Sequence, residues 1–400
     1  MNNVILFDDD QWKAMLPICL TRPIADIRLG ILKISEKWEK YLDAEVSYIT
    51  KDYLSEKFPI KISSDNLVIN SRWLPDDKLV SLIKNLKTND AILIQDTLVA
   101  ARLDNEQFQR LIDNIEIHEL KGIDLKEVHS FRSIERPYDI FKFNGEEIEK
   151  DFRLLKLSNS HSVDESVSIY GDHPVYIHPE AKLKHCILNA ESGPIFIDKK
   201  CQIQEGAILR GPLAVCEGTV VKMGAKVYEN SSFGPYCKIA GEISNVVFQG
   251  FANKAHDGYL GNSVIGEWCN LGAGTISSNL KNNYAEVKIW NYISKRFEKT
   301  GSQFCGLIMG DHSKTGINTM FNTGTVVGVC ANIFGSGYPR VYIPSFSWGG
   351  AHGYSTFKID KALELAEIVM NRRKKSLSDQ DRIILEHVFH ASADFRNWES

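Results

Sequence analysis

Through the second half of the chain, apolar residues return at every sixth position: Ile197, Ile203, Leu209, Val215, Val221, Val227, Phe233 and Ile239 are in phase. Most are followed four places later by a small residue, at Cys201, Ala207, Thr219, Ala225, Ser231 and Cys237. The register resumes at Met309, Thr315, Phe321, Val327 and Ile333, with Ser313, Thr319, Thr325 and Ala331 at the same offset. A strand sends alternate side chains to one side, so a short strand and a turn in every six residues rotate the chain round a prism. The large residue fills the prism, and the small one fits beside it near the corner. One coil cannot hide its apolar face alone, so coils stack into a continuous core. Each inward aliphatic contributes roughly 1.5–3 kcal/mol when buried.

The first 150 residues follow a different rhythm. Val4-Ile5-Leu6-Phe7 reads as a buried strand that ends in Asp8, Asp9 and Asp10. Ile27, Ile31, Ile34, Trp38, Tyr41 and Leu42 stand near helical spacing and predict an amphipathic helix over Asp26–Leu42. Strands are expected at Val46–Ile49, Leu67–Asn70, Ala91–Ile94 and Leu98–Ala101, with a helix at Asp76–Leu86. Such alternation argues for an α/β layer arrangement. Glu146–Ser160 reads as a short linking helix. Lys281–Gly301 is a polar insertion with Trp290 and Tyr292, expected as a loop or hairpin arm projecting from the coils. Gly335–Tyr354 ends the repeat, Ile359–Met370 is helical by spacing, and Ser378 with Asp379 caps a second helix through His387. The expected layout is an α/β domain at 1–150, a linker helix at 151–165, a β-helix at 166–345 with its insertion at 281–301, and a helical tail at 346–400.

Four hundred residues exceed what one core usually serves, in keeping with that division. A formal net charge of −4 leaves no electrostatic footprint for nucleic acid or an anionic membrane. No apolar run approaches the roughly 20 residues of a membrane span, and the N-terminus lacks signal-peptide character, so a cytoplasmic protein is expected. The eight cysteines are dispersed, without metal-ligand spacing, and read as reduced core thiols; no metal site is expected from them.

Between the two phased blocks lies Asn253–Asn279, where a histidine, asparagines, a tyrosine and a glycine-rich turn interrupt the repeat. Irregular polar sequence inside a regular scaffold is where function is usually placed, which makes this stretch the candidate active site. An isolated His256 would read as a loop residue bonded within its turn, and His312 as an outward coil residue. Lys222 and Arg210 are either outward coil charges or phosphate ligands.

Lys254-Ala-His256-Asp-Gly-Tyr259-Leu-Gly, followed by Asn270-Leu-Gly272-Ala273-Gly274-Thr and Asn279, resembles the acetyltransferase half of the bifunctional N-acetylglucosamine-1-phosphate uridylyltransferase/glucosamine-1-phosphate acetyltransferase family. The hexapeptide pattern likewise resembles the left-handed parallel β-helix of hexapeptide-repeat acyltransferases. The resemblance implies His256 as the general base toward acetyl-CoA, with Asn279 positioning acceptor or base. It further implies Tyr259, Asn270 and Lys254 as substrate ligands, and the amides around Gly272, Ala273 and Gly274 as contacts for the acetyl group. It also implies a homotrimer. The family's tyrosine after Asn279 is Leu280 here, a later lysine is Ala285, and Ser244-Asn245-Val246 stands where basic phosphate ligands are expected.

Upstream, Leu16-Pro-Ile-Cys-Leu-Thr21-Arg22-Pro23 resembles the start of sugar nucleotidyltransferases. Their Gly-x-Gly-Thr-Arg phosphate loop is replaced by Asp8-Asp9-Asp10-Gln11-Trp12-Lys13, and Asn70-Ser71-Arg72 stands where a metal-binding aspartate is expected. This implies a Rossmann-like nucleotidyltransferase domain in degenerate or remodelled form, requiring Mg2+ if nucleotidyl transfer is retained. Arg22 and Arg28 are either phosphate ligands or partners of Asp26 and the Asp8 cluster. The leading expectation is an acetyl-CoA-dependent transferase acting on an amino sugar phosphate or nucleotide sugar. The alternative is a sugar-1-phosphate nucleotidyltransferase whose β-helix serves assembly or regulation, and a third is a non-catalytic scaffold or sensor.

Overall fold

The computed structural model describes residues 3–113, 120–125, 131–159 and 163–399. The chain forms two compact units, the first made of residues 1–12, 22–27 and 32–135. Its six-stranded sheet has the order β2-β1-β3-β5-β4-β6, where β1 is Asn3–Phe7, β2 Val46–Ile49, β3 Asp65–Asn70, β4 Asp90–Ile94, β5 Thr97–Asp104 and β6 Lys121–Asp124. Strands β2, β1 and β3 run parallel, β5 is antiparallel to β3 and β4, and β6 is parallel to β4. Helices α1 (Ile34–Leu42), α2 (Asp52–Ser55), α3 (Asp77–Lys84) and α4 (Asn105–Ile112) belong to this unit. Ile5, Val68, Ala101, Leu103 and Phe108 form an apolar core within it.

The helix expected over Asp26–Leu42 begins only at Ile34. Ile27, Leu29 and Ile31 are all buried, and Ile27 already has extended backbone angles, φ −72° and ψ 131°. Gln249 holds the Arg28 backbone there, accepting from its N–H at 2.7 Å and donating to its carbonyl at 3.2 Å. The four-residue spacing of Ile27 and Ile31 fits a helix and also, through Leu29, a period of two, and the segment took the second; Ile34 already belongs to α1.

The second unit comprises residues 13–21, 28–31 and 136–400. It is a parallel β-solenoid built on three ladders. One aligns Leu183, Ile203, Val221, Ile239, Lys254 and Leu271. A second aligns Leu188, Leu209, Val227, Ile243 and Leu260. The third aligns Ile177, Ile197, Val215, Phe233, Phe248, Ile265, Met309, Val327 and Ile343. Every large residue of the six-residue repeat is buried, and so is every small one. The small residues also satisfy corner polar groups: Thr219 Oγ1 donates to the Gly234 carbonyl at 2.9 Å and accepts from Cys237 N–H at 3.2 Å.

Helix α5 (Pro137–Leu154) starts earlier than the linking helix read from the charge pattern; residues 160–162 of that stretch lie outside the described residues. Proline at its first position is preset for a helical φ. The insertion is a hairpin, Lys288–Asn291 paired with Arg296–Lys299. Trp290 stacks on Tyr342 of the coils at 4.2 Å between ring centroids, so the arm folds back rather than projecting. Helices α6 (Ile359–Asn371) and α7 (Asp379–Ala391) follow the last coils, and the Ser378 side chain caps α7 by accepting from Asp381 N–H.

Candidate active site

The irregular stretch splits between two corners of the solenoid. At one, His256 and Asp257 form an exposed bend after the strand Asn253–Lys254. The Asp257 carbonyl accepts from Gly274 N–H at 3.2 Å, which ties this bend to the Gly272–Gly274 turn of the next coil. Gly274 sits at φ +69°, and a side chain on it would strike Asn318; only glycine meets both demands. Gly272 N–H donates to Thr315 Oγ1 at 2.9 Å. Two of the three amides in the turn are therefore committed inside the scaffold.

Lys254 is placed differently from a substrate ligand. It aligns with Ile239 and Leu271 on an inward ladder and is fully buried. Its Nζ donates to the His256 carbonyl at 2.8 Å. A Cβ on Gly241 would lie 3.1 Å from that Nζ. Burial pushes the ammonium down to about 8, partly offset by Asp257. A cation inside an apolar ladder is costly, and here it braces the carbonyl of the candidate base.

At the second corner, Asn279 Nδ2 donates to Tyr259 Oη at 2.9 Å and to Asn262 Oδ1 at 2.7 Å. Tyr259 is half-buried, and that burial raises its pKa above the ordinary phenol value. Asn262 Nδ2 donates to Asn245 Oδ1 at 3.0 Å, and the Asn245 amide nitrogen donates to the Phe141 carbonyl of α5 at 2.7 Å. Asn230, Asn245 and Asn262 have φ of 61°, 55° and 46°, a conformation asparagine tolerates better than most residues. Asn279 thus ends an asparagine ladder. The signal is present in the chain, as one asparagine per coil at 230, 245, 262 and 279, at spacings of 15 and 17 residues that lie outside the six-residue period. Asn270 is exposed on a third surface, opposite Asn253 and Lys314. Gly261, which follows Tyr259 closely, lies against both the Tyr259 hydroxyl and the Asn279 amide. His312 is buried and stacks near Trp268, with ring centroids 6.3 Å apart.

In the first unit the strand order reverses between β1 and β3, and open α/β sheets commonly bind ligands at the carboxyl ends of such strands. Here Asp9 Oδ2 accepts from Arg72 Nε at 2.8 Å and from Asn70 Nδ2 at 2.9 Å, and Arg72 also pairs with Glu135. Asp8 accepts from Thr50 Oγ1 at 2.7 Å and Ile24 N–H at 3.0 Å, and burial raises its carboxyl to about 6. Arg22 is buried and faces Asp26 at 3.5 Å. Arg28 is buried in the solenoid unit and donates to the Ile31 carbonyl. These residues do not fit a resident Mg2+: Asp9 is paired with a guanidinium, and its neighbour on β3 is an asparagine. Among the described residues no cluster of three histidine, cysteine, aspartate or glutamate side chains suits a metal.

Residues 4–160 match the family model described as sugar nucleotidyl transferase. The bifunctional protein GlmU of Methanocaldococcus jannaschii is 29% identical over 309 residues, spanning 75% of this chain and 68% of that protein. The bifunctional sugar-1-phosphate nucleotidylyltransferase/acetyltransferase of Sulfurisphaera tokodaii is 28% identical over 161 residues, 35% of this chain and 39% of that protein. The chain resembles the bifunctional nucleotidylyltransferase/acetyltransferases. By that likeness it is a transferase. A hexapeptide transferase family protein of Anaplasma phagocytophilum aligns with a TM-score of 0.21 at 12% identity, covering 57% of this chain and 96% of that one; at that score it adds nothing to the strand pairing above. Within the bifunctional likeness, the stretch from Lys254 to Asn279 belongs to the solenoid, and the family-model match covers the α/β unit together with α5 and the residues after it. No helix among the described residues is long and apolar enough to cross a membrane.

Proposed function

We propose that the chain transfers an acetyl group from acetyl-CoA to the amine of an amino sugar phosphate or nucleotide-linked sugar, with His256 as general base. The observation that carries this reading is the bend at His256: the imidazole is exposed, while the backbone beneath it is held by Lys254 Nζ at 2.8 Å and by Gly274 N–H at 3.2 Å. In the reaction, the amine nitrogen bonds to the thioester carbonyl carbon and the carbon–sulfur bond breaks. The proton leaves the amine for the imidazole and passes to the departing sulfur. General-base catalysis of this kind typically contributes about 10²- to 10⁴-fold. Tyr259 and Asn279 hold each other in place and would present the tyrosine ring and the amide oxygen to the acceptor.

A homotrimer belongs to the same proposal. Met223 and Ile317 are 70% and 74% exposed, and each precedes a positive-φ corner residue, Gly224 and Asn318. The corner of His256 and Asp257 occupies the same stack, through Gly241, Gly258 and Gly274. Apolar side chains exposed beside a candidate site suit a surface that a neighbouring copy covers. A cytoplasmic place of action is part of this reading.

The family-model match favours a second reading, nucleotidyl transfer by the α/β unit. The Asp9–Arg72 pair counts against it, because it engages both charges at the strand ends where a nucleotide is expected. One experiment tests both. Acetyl-CoA is offered with a panel of amino sugar phosphates and nucleotide sugars, and free thiol is read beside pyrophosphate release from nucleoside triphosphates. Thiol release by the wild type, lost on His256→Ala with the oligomer intact, supports acetyl transfer. Pyrophosphate release alone, or turnover unaffected by His256→Ala, overturns it.

A further inference from the structure

Cations gather on the solenoid face that carries Asn253 and Asn270. Lys238, Asn253 and Asn270 are successive partners across the strands, and they point outward because Ile239, Lys254 and Leu271 point in. Helix α6 ends beside them, where Arg373 Nη2 donates to Asn253 Oδ1 at 2.9 Å. Lys222 lies on the neighbouring coil, its N–H donating to the Ile239 carbonyl at 2.8 Å.

The charged groups that act on Lys238 are all cations, namely Arg373, Lys222 and Arg372. Burial first, and these cations after it, hold its ammonium below the ordinary lysine range. Arg373 is likewise held down by burial and by Arg372. Among the described residues no carboxylate is named as acting on either. Acidic residues outnumber basic ones in the whole chain, 51 to 47, so this uncompensated grouping runs against the composition. Like charges held close repel, and a bound anion would relieve them. Four cations call for a dianion rather than a carboxylate. Guanidinium, ammonium and amide donors together match the oxygens of a phosphate.

We propose that Lys222, Lys238, Arg372 and Arg373, with Asn253 and Asn270, form a site for a phosphate monoester. The site takes the place of the basic residues that the coils before His256 lack, and it lies three residues along the chain from that histidine. Two compounds of the proposed reaction carry the group: a sugar phosphate acceptor, and CoA through its 3′-phosphate. The choice between them rests on the acetyl-transfer reading; the site itself does not.

The test is calorimetric titration of the full-length protein with glucosamine 1-phosphate, glucosamine, CoA and dephospho-CoA, on wild type and on the double variant Lys238→Gln, Arg373→Gln. Affinity for at least one phosphate-bearing probe is expected to fall about tenfold or more, while its counterpart lacking the phosphate monoester is unaffected. The pair that responds identifies the source of the phosphate. Lys238→Arg with Arg373→Lys keeps the charge and should restore most of the affinity, which separates charge loss from misfolding. The site is overturned if both phosphate-bearing probes bind wild type and double variant alike, or if neither binds wild type more tightly than its counterpart. Binding is read without turnover. A protein that binds through these residues yet releases no thiol refutes acetyl transfer and leaves the phosphate site standing.

Discussion

Lys254 shows how a single residue can break the rule of its element for a reason found nearby. Its neighbours on the ladder, Ile239 and Leu271, are aliphatic, and its ammonium is held at about 8 because the interior disfavours charge. The unfolded chain binds that proton up to about 10.5, so between about pH 8 and 10.5 the unfolded state carries the excess proton and stability rises with pH. Lys254→Met should therefore raise the melting temperature at pH 7, by a free energy whose ceiling is roughly 3 kcal/mol, and flatten that rise. Thermal melts across pH 7–10.5 check both. The same variant should speed amide exchange at Ala255–Gly258, since the brace on the His256 carbonyl is gone. The candidacy of His256 rests on its spacing to Tyr259, Asn270 and Asn279 in the chain. The burial of Lys254 was not legible there, because a lysine beside a histidine reads equally well as a ligand or a strut until its direction is known.

At the scale of elements, the solenoid was the most legible part of the molecule. Its six-residue period encodes both direction and spacing, and every phased residue is buried. Val221 lies on a ladder between Ile203 and Ile239. Val221→Asp is expected to cost roughly 4–5 kcal/mol, from lost apolar burial and an unpaired interior charge. Urea unfolding should report the loss, and hydrogen exchange should spread it across the coils bearing Ile203 and Ile239 rather than confine it to one. The segment after Asp26 was less legible. Isoleucines at 27 and 31 serve a helix or a strand-like crossing equally, and Gln249, distant in sequence, holds the crossing. The asparagine ladder shows the same limit, since its bonds depend on how the coils stack.

At the scale of the whole molecule, the proposed trimer makes the exposed apolar corner testable. Met223→Glu with Ile317→Glu should convert a trimer to monomers in sedimentation velocity, without lowering the melting temperature of the coil core. A wild type that sediments as a monomer removes the proposal. The two units also differ in chemical character. In the α/β unit Asp9, Asn70 and Arg72 bond to one another at the strand ends where open sheets commonly hold a ligand, whereas the solenoid presents an exposed histidine and the proposed phosphate site.

The hexapeptide period, the α/β alternation and the spacing from Lys254 to Asn279 determined the architecture and the candidate stretch by themselves, because each is a local pattern written in consecutive residues. The tertiary structure alone decided what those residues face. It turned Lys254 inward, committed Asn279 to Tyr259 and Asn262, paired Arg72 with Asp9, and brought Arg373 to Asn253. Such contacts join residues far apart in the chain, and their partners are set by the stacking of coils and strands, which no single stretch of sequence specifies.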